Sequence, residues 1–360
     1  MCALLLASAI SLFAQGPLTP PGPPAPTMKS LSQIEPRTPI SSIPFTISQP
    51  GSYFLTGNLT LPAANSGANG ITIASDNVTI DLGGFTLDGA NVGANGITTA
   101  SGQYSILIRN GTAQNWKQVG FDLFLCNMSV MENLRARNNS TGIQIGYGTL
   151  TRCSAALNSS TGILAFTSTV TECVVDSNPI GFNLSGSTLR GSFASDSTNV
   201  GIDASSSTVE GCALIRNYWG IVAGFSNINH NTVDGCNSDG IRADGGKSTI
   251  ADNNITGCGH SINASGIWVT TNGNRMVNNN IFGTNGDGIG VAAGYNILDG
   301  NSCIQNTGFG VHVFSANNVI VRNSVLVDTG GTYSIVAGNN VGLAEPAATS
   351  THTWSDLQVP

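Results

Sequence analysis

The sequence predicts an all-β protein, a single-domain right-handed parallel β-helix of about 12–13 coils, and three observations lead there. The stretch "STGILAFTSTVTECVVDSNPIGFNLSGS", residues 160–187, states one short pattern twice. Glycines followed by a large apolar residue recur at Gly70, Gly96, Gly120, Gly142, Gly162, Gly181, Gly201, Gly220, Gly240, Gly266, Gly288 and Gly310, with Gly331 a weaker thirteenth. The gaps run 26, 24, 22, 20, 19, 20, 19, 20, 26, 22, 22 and 21 residues, a sustained period that marks a repeat architecture. Each of the first twelve is followed by Ile, Phe or Val, and two residues later by a second apolar residue, Thr99 excepted. Alternation with period two is a half-buried strand. Helical repeats need a 3.6-residue stripe and leucine-rich repeats a Leu/Asn consensus, and neither is present, so stacked coils of strand remain.

Taken in chain order, "MCALLLASAISLFAQG" has the apolar run and polar end of a signal peptide, placed at 1–14. It is too short to span a bilayer, and the chain is expected to be secreted, extracellular or periplasmic. Residues 15–39 form a Pro-rich linker around "PLTPPGPPAPT". The helix is assigned to 40–340, with 40–61 as its N-terminal cap and 341–360 as a C-terminal tail or cap, because an uncovered end presents unpaired strand edges. Asn158, Asn178, Asn217, Asn237, Asn263, Asn285 and Asn306 lie three or four residues before a repeat Gly and suit a stacked ladder at a turn. Cys153, Cys173, Ser192 and Cys212 fall in register as an inward ladder, either as buried thiols or with Cys153 bridged to Cys173. Cys2 leaves with the signal, and no CxxC pair supports a metal site.

Charged residues are only 9% of the chain and the formal net charge is −7, which argues against nucleic acid or an anionic membrane as partner. A monomer is expected.

"NGITIASDNVTIDLGGFTLDG" (69–89), "YSILIRNGTAQNW" (104–116) and "PFTISQPGSYFLTGNLTL" (44–61) resemble secreted bacterial β-helix proteins of the pectin-lyase-like superfamily that carry parallel β-helix repeats. The resemblance covers roughly 40–340. It implies the fold and a carbohydrate context, while activity varies widely on such a fold. The motifs that the resemblance would lead one to seek, NTD, GHG, RIK, DPH and GGxGxD, do not occur. No catalytic residue is assigned. No cofactor is expected, and Ca²⁺ has no motif behind it.

A coil stack brings together residues twenty apart, so the outward position two after each Gly is read as a column. It runs Thr72, Thr98, Asp122, Gln144, Leu164, Asn183, Asp203, Val222, Arg242, Trp268, Gly290 and His312. The candidate binding residues are Asp203, Arg242, Trp268 and His312, with Asp244 and Lys247 just beyond Arg242. Trp268 would offer a ring for a sugar face and Arg242 a clamp for a carboxylate. The longer turn "ITGCGHSINASG" (255–266) is expected to shape a groove, with His260 an ordinary loop histidine. Asp88, Asp239 and Asp287, each before a Gly, read as turn formers. The expected function is binding of an acidic polysaccharide along this face. The alternatives are a non-catalytic structural or adhesive rod and a calcium-dependent lyase or glycoside hydrolase.

Overall fold

In a computed structural model, residues 36–260 and 264–342 are described in full, and the strands Ala344–Pro346 and Asp356–Val359 by their backbone. The expected signal peptide and nearly all of the linker lie outside the described residues. Thr38–Pro360 forms one compact unit.

Each coil contributes three short strands, and all strand pairs are parallel, joining each coil to the next. The Gly-led strands make one 14-stranded sheet, from Phe45–Ile47 to Gly331–Ile335. The other two faces are columns of three-residue strands such as Thr169–Thr171 and Val174–Asp176, each on its counterpart one coil earlier. Two long strands, Ile106–Gln114 and Val130–Arg137, run through both columns and join them.

Period-two alternation decides which side chains go inside. Ile71, Ile97, Phe121, Ile143, Ile163, Phe182, Ile202, Ile221 and their successors are all at most 1% exposed, and they stack like on like from coil to coil. Burying one such side chain stabilises by about 1.5–3 kcal/mol. The glycine ahead of each is a matter of space: a Cβ on Gly162 would lie 2.7 Å from the carbonyl oxygen of Gly181 in the next coil.

Chain reversal happens at three corners, and each needs an internal solution for backbone N–H groups that the strand ladders leave over. One corner carries a serine ladder that becomes asparagine: the amide of Ser168 donates to Ser187 Oγ, Ser207 to Ser226, Ser248 to Asn274 Oδ1 and Asn296 to Asn318 Oδ1. A second begins with cysteine and serine, Cys173 donating to Ser192 Oγ and Cys212 to Asn231 Oδ1. It continues as Asn231, Asn253, Asn279, Asn301 and Asn323. The third runs through Asn139, Asn158 and Asn178, then Asn217, and ends in Asn306 and Asp328. Leaving one such buried amide unsatisfied costs about 1–3 kcal/mol.

The expected asparagine ladder therefore exists and is interrupted. Asn237 and Asn285 are exposed, because Cys236 and Thr284 take the inward corner position in their coils. Asn263 lies outside the described residues. The cysteine register is as expected, and Cys126, Cys153, Cys173, Cys212, Cys236, Cys258 and Cys303 are all free and buried, so the Cys153–Cys173 bridge is not formed. The thiol of Cys173 and burial together push the Cys153 thiol up, and Cys153 packs as a small apolar group.

At the N-terminal end, Phe45–Ile47 pairs with Ile71–Ile73 and Gly51–Leu55 with Val78–Asp81, so 40–61 is built as a further coil without a marker glycine. Thr38–Ile40, whose first two residues fall in the stretch read as linker, stacks on Tyr53–Leu55 beyond it. At the other end, Asn340–Val341 pairs with Val319–Ile320 and Asp356–Val359 with Ser324–Leu326. Gly331 sits one place out of the series: it pairs with Phe309, which sets Thr332 opposite Gly310.

Candidate functional site

The outward column is in register. Asn183 pairs with Asp203, Asp203 with Val222, Val222 with Arg242, Arg242 with Trp268, Trp268 with Gly290 and Gly290 with His312. Parallel strands lie about 4.8 Å apart, so Arg242 and Trp268 are neighbours and His312 stands two coils past Trp268.

Two further columns flank it, one residue before each Gly, with both buried and part-exposed members, and one four after, which faces outward. Trp219, Asp239, Asp287 and Phe309 belong to the first, Phe314 to the second. Asp239 and Asp287 each accept a backbone amide of the next coil, from Ser265 and Phe309, so they tie coils together and do not cap their own turns. Asp88 does act at a turn, its carboxylate accepting from the amide of Ala90.

Arg242 is already occupied. Its Nε donates to Asp244 Oδ2 at 2.7 Å and its Nη1 to Asp239 Oδ2 at 3.4 Å, while the guanidinium carbon lies 5.5 Å from the centre of the Trp219 ring. Burial works against the cation, and the two carboxylates outweigh it and hold its proton more tightly. Burial raises Asp239 above the usual carboxylate range, opposed by the Ser265 amide and by Arg242. Asp203, one further coil back from Val222, is raised first by burial and then by the charge of Asp244. Lys247 is exposed at the adjoining corner, with positive φ.

The aromatic part lies one coil on. Gly290 leaves the space in which the Trp268 ring lies: a Cβ there would meet the indole at 2.4 Å. Phe314 meets Trp268 edge-on at 5.8 Å between centroids and also covers the His312 ring at 3.8 Å. Phe309 also packs edge-on against His312, at 4.8 Å between ring centroids. His312 Nδ1 is 2.9 Å from Asp287 Oδ2, and Asp287 Oδ1 accepts the Phe309 amide at 2.8 Å. Together these side chains line a groove of about 740 Å³.

His260 is exposed in the long turn, its Nδ1 3.3 Å from the carbonyl oxygen of Cys236, as a loop histidine. The described residues of that turn do not line the groove, which is shaped by glycines and aromatics of the sheet itself. Among the described residues no group of three His, Cys, Asp or Glu side chains is placed to hold a metal ion.

A family model described as right handed beta helix region matches residues 219–345, a range that includes the groove around Trp268 and His312. The chain is a right-handed parallel β-helix. Among solved β-helices, a point mutant of the tailspike protein of E. coli bacteriophage HK620 in complex with pentasaccharide superposes with TM-score 0.59 at 11% identity, over 82% of this chain and 65% of that one. A double mutant of the same tailspike gives TM-score 0.57 at 11% identity, over 78% and 61%. The chain therefore spans less than two thirds of those tailspike chains. The mannuronan C-5 epimerase AlgE6 A-module of Azotobacter vinelandii aligns over 89% of this β-helix and 90% of its own chain, at 13% identity and TM-score 0.42. No curated protein sequence matches this one. These likenesses show the β-helix fold, and among the described residues no helix is long and apolar enough to cross a membrane.

Proposed function

We propose that this β-helix is a secreted protein that binds a polysaccharide along the C-terminal half of its Gly-led sheet. The observation that carries the reading is the Trp268 ring seated over Gly290 inside an open groove edged by Phe314, His312 and Asp287. Sugars present flat C–H faces to aromatic rings and hydroxyls to the surrounding polar groups, and this groove offers both. The tailspike in complex with a pentasaccharide shares the fold, which makes a glycan partner a natural candidate for this chain.

Charge refines the ligand. The expected uronate contact through Arg242 requires displacing Asp244 or Asp239, and the same face carries Asp203 and Asp287. Four carboxylates against one paired guanidinium favour a neutral glycan over an acidic one.

A polysaccharide array followed by calorimetry tests this. Trp268→Ala is expected to cost about 2 kcal/mol of affinity, roughly thirtyfold. Arg242→Ala separates the two ligand classes: a selective loss of acidic glycans restores the uronate reading. Absence of binding across the array, with and without calcium, leaves the structural-rod reading in its place.

A further inference from the structure

We propose that the His312–Asp287 pair makes this groove hydrolytic, with water activated at Nε2 of His312 removing an O-acyl group from a neutral glycan; the inference rests on the glycan reading above. A carboxylate can only accept, so Asp287 Oδ2, 2.9 Å from Nδ1, places the proton on Nδ1 and leaves the lone pair of the neutral ring on Nε2. The Phe309 amide, donating to Asp287 Oδ1 at 2.8 Å, holds that carboxylate in place. Phe314 at 3.8 Å and Phe309 at 4.8 Å fix the plane of the ring. Nε2 has no hydrogen-bond partner among the described residues, and the side chain, 22% exposed, lines the groove. This is a general base whose tautomer and orientation are set in advance.

The second component is Asn285. Thr307 Oγ1 donates to Asn285 Oδ1 at 3.3 Å, and both residues line the same groove. With its oxygen engaged, the amide offers its N–H₂ to a developing oxyanion. In the reaction, the water oxygen bonds to the acyl carbonyl carbon as its proton passes to Nε2. Asp287 stabilises the imidazolium, and Asn285 donates to the oxyanion. The adduct then collapses, the bond from the acyl carbon to the sugar oxygen breaks, and that oxygen takes the proton from Nε2. A carboxylic acid and a free sugar hydroxyl leave, with no oxidant or reductant involved.

An ester fits better than a glycosidic bond. Glycoside hydrolysis needs two carboxylates in complementary acid and base roles. Here Asp239 and Asp244 are tied to Arg242 and Asp287 to His312, which leaves Asp203 as a single untied carboxylate where two are needed.

The test measures acetate released from acetylated xylan and acetylated mannan, with 4-nitrophenyl acetate as a small probe. Wild-type protein is expected to release acetate. His312→Gln and Asn285→Ala should each lower kcat about 100-fold. Asp287 is a positioning residue, so Asp287→Asn should lower kcat while KM for the glycan stays within twofold. Asp122→Ala and Gln144→Ala should leave the rate unchanged. If wild-type protein binds a glycan through Trp268 but releases no acetate from any probe, the hydrolytic inference is overturned and the binding reading stands. Hydrolysis that survives in His312→Gln overturns it as well, and absence of both binding and release overturns both.

Discussion

Along the Gly-led sheet, the outward column from Thr72 to Asn183 holds Thr, Asp, Gln, Leu and Asn side chains, while from Asp203 to His312 it gathers a guanidinium, an indole and an imidazole. Beneath both halves the interior is the same: Ile143 and Ile163 in the first half and Ile267 and Ile289 in the second are all fully buried. The corner ladders close both halves in the same way. The stack is therefore specified by its inner positions, which leaves every second residue of a strand free to vary. The C-terminal half uses that freedom for Trp219, Trp268, His312 and Phe314. The N-terminal half places aromatics four after the Gly, Phe124 and Phe166 at 6.0 Å between centroids, and leaves the central outward column without a ring.

The comparison breaks most violently from the inside. Ile202, 1% exposed beneath Asp203, has no partner for a charge, so Ile202→Asp should abolish folding of both halves together. Soluble, protease-resistant mutant protein would contradict a shared core. A smaller cut is Asn253→Ala, which removes the acceptor for the Asn231 amide and should cost about 1–3 kcal/mol in chemical denaturation. Binding at the face should survive it, because ladder and face are separate demands on the sequence. Gly290→Ala sharpens the comparison from the outside. Its Cβ lifts the indole off the sheet, and affinity should fall about tenfold, about 1.4 kcal/mol, with the melting temperature nearly unchanged. The smallest effect concerns the end of the third ladder. Burial raises Asp328 to about 6, against hydrogen bonds from Asn306, and its Oδ2 is buried without a partner. Below the ordinary value of 3.8 the group is protonated folded and unfolded alike; its contribution is lost as pH rises through about 6. Asp328→Asn should therefore raise stability at pH 8 by on the order of 1 kcal/mol, discounted for partial exposure, and leave it unchanged at pH 3. Equal melting shifts at both pH values would sink that assignment.

The coil stack was legible because a period-two pattern repeated every twenty residues has one packing solution, and the column from Thr72 to His312 followed from it. Less legible was which glycines and carboxylates belong to turns. Asp239 and Asp287 each precede a Gly, as turn residues do, yet each accepts a backbone amide of the next coil, Asp287 from the first position of its strand and Asp239 from a buried position just before its own. Reading the positions one before and four after each Gly as columns would have found them, along with Trp219, Phe309 and Phe314. The pairing of Arg242 with two carboxylates was beyond such a reading, since it depends on side-chain conformation of one strand residue and the residues flanking that strand on either side. The interrupted asparagine ladder has a similar origin: Asn237 and Cys236 are adjacent in sequence, and only the corner geometry decides which points inward.

The central claim is that ligand binding belongs to the C-terminal half of the sheet and to the Trp268 ring in particular. A crystal structure of the protein soaked with oligosaccharides from the best-binding glycan tests it most directly. The account predicts a sugar ring stacked on Trp268, with its hydroxyls toward Asp287 and His312 and an otherwise bare surface over Thr98, Asp122 and Gln144. Sugar density confined to the smaller groove of about 440 Å³ around Met128, Tyr147 and Thr167, with Trp268 unoccupied, would contradict it.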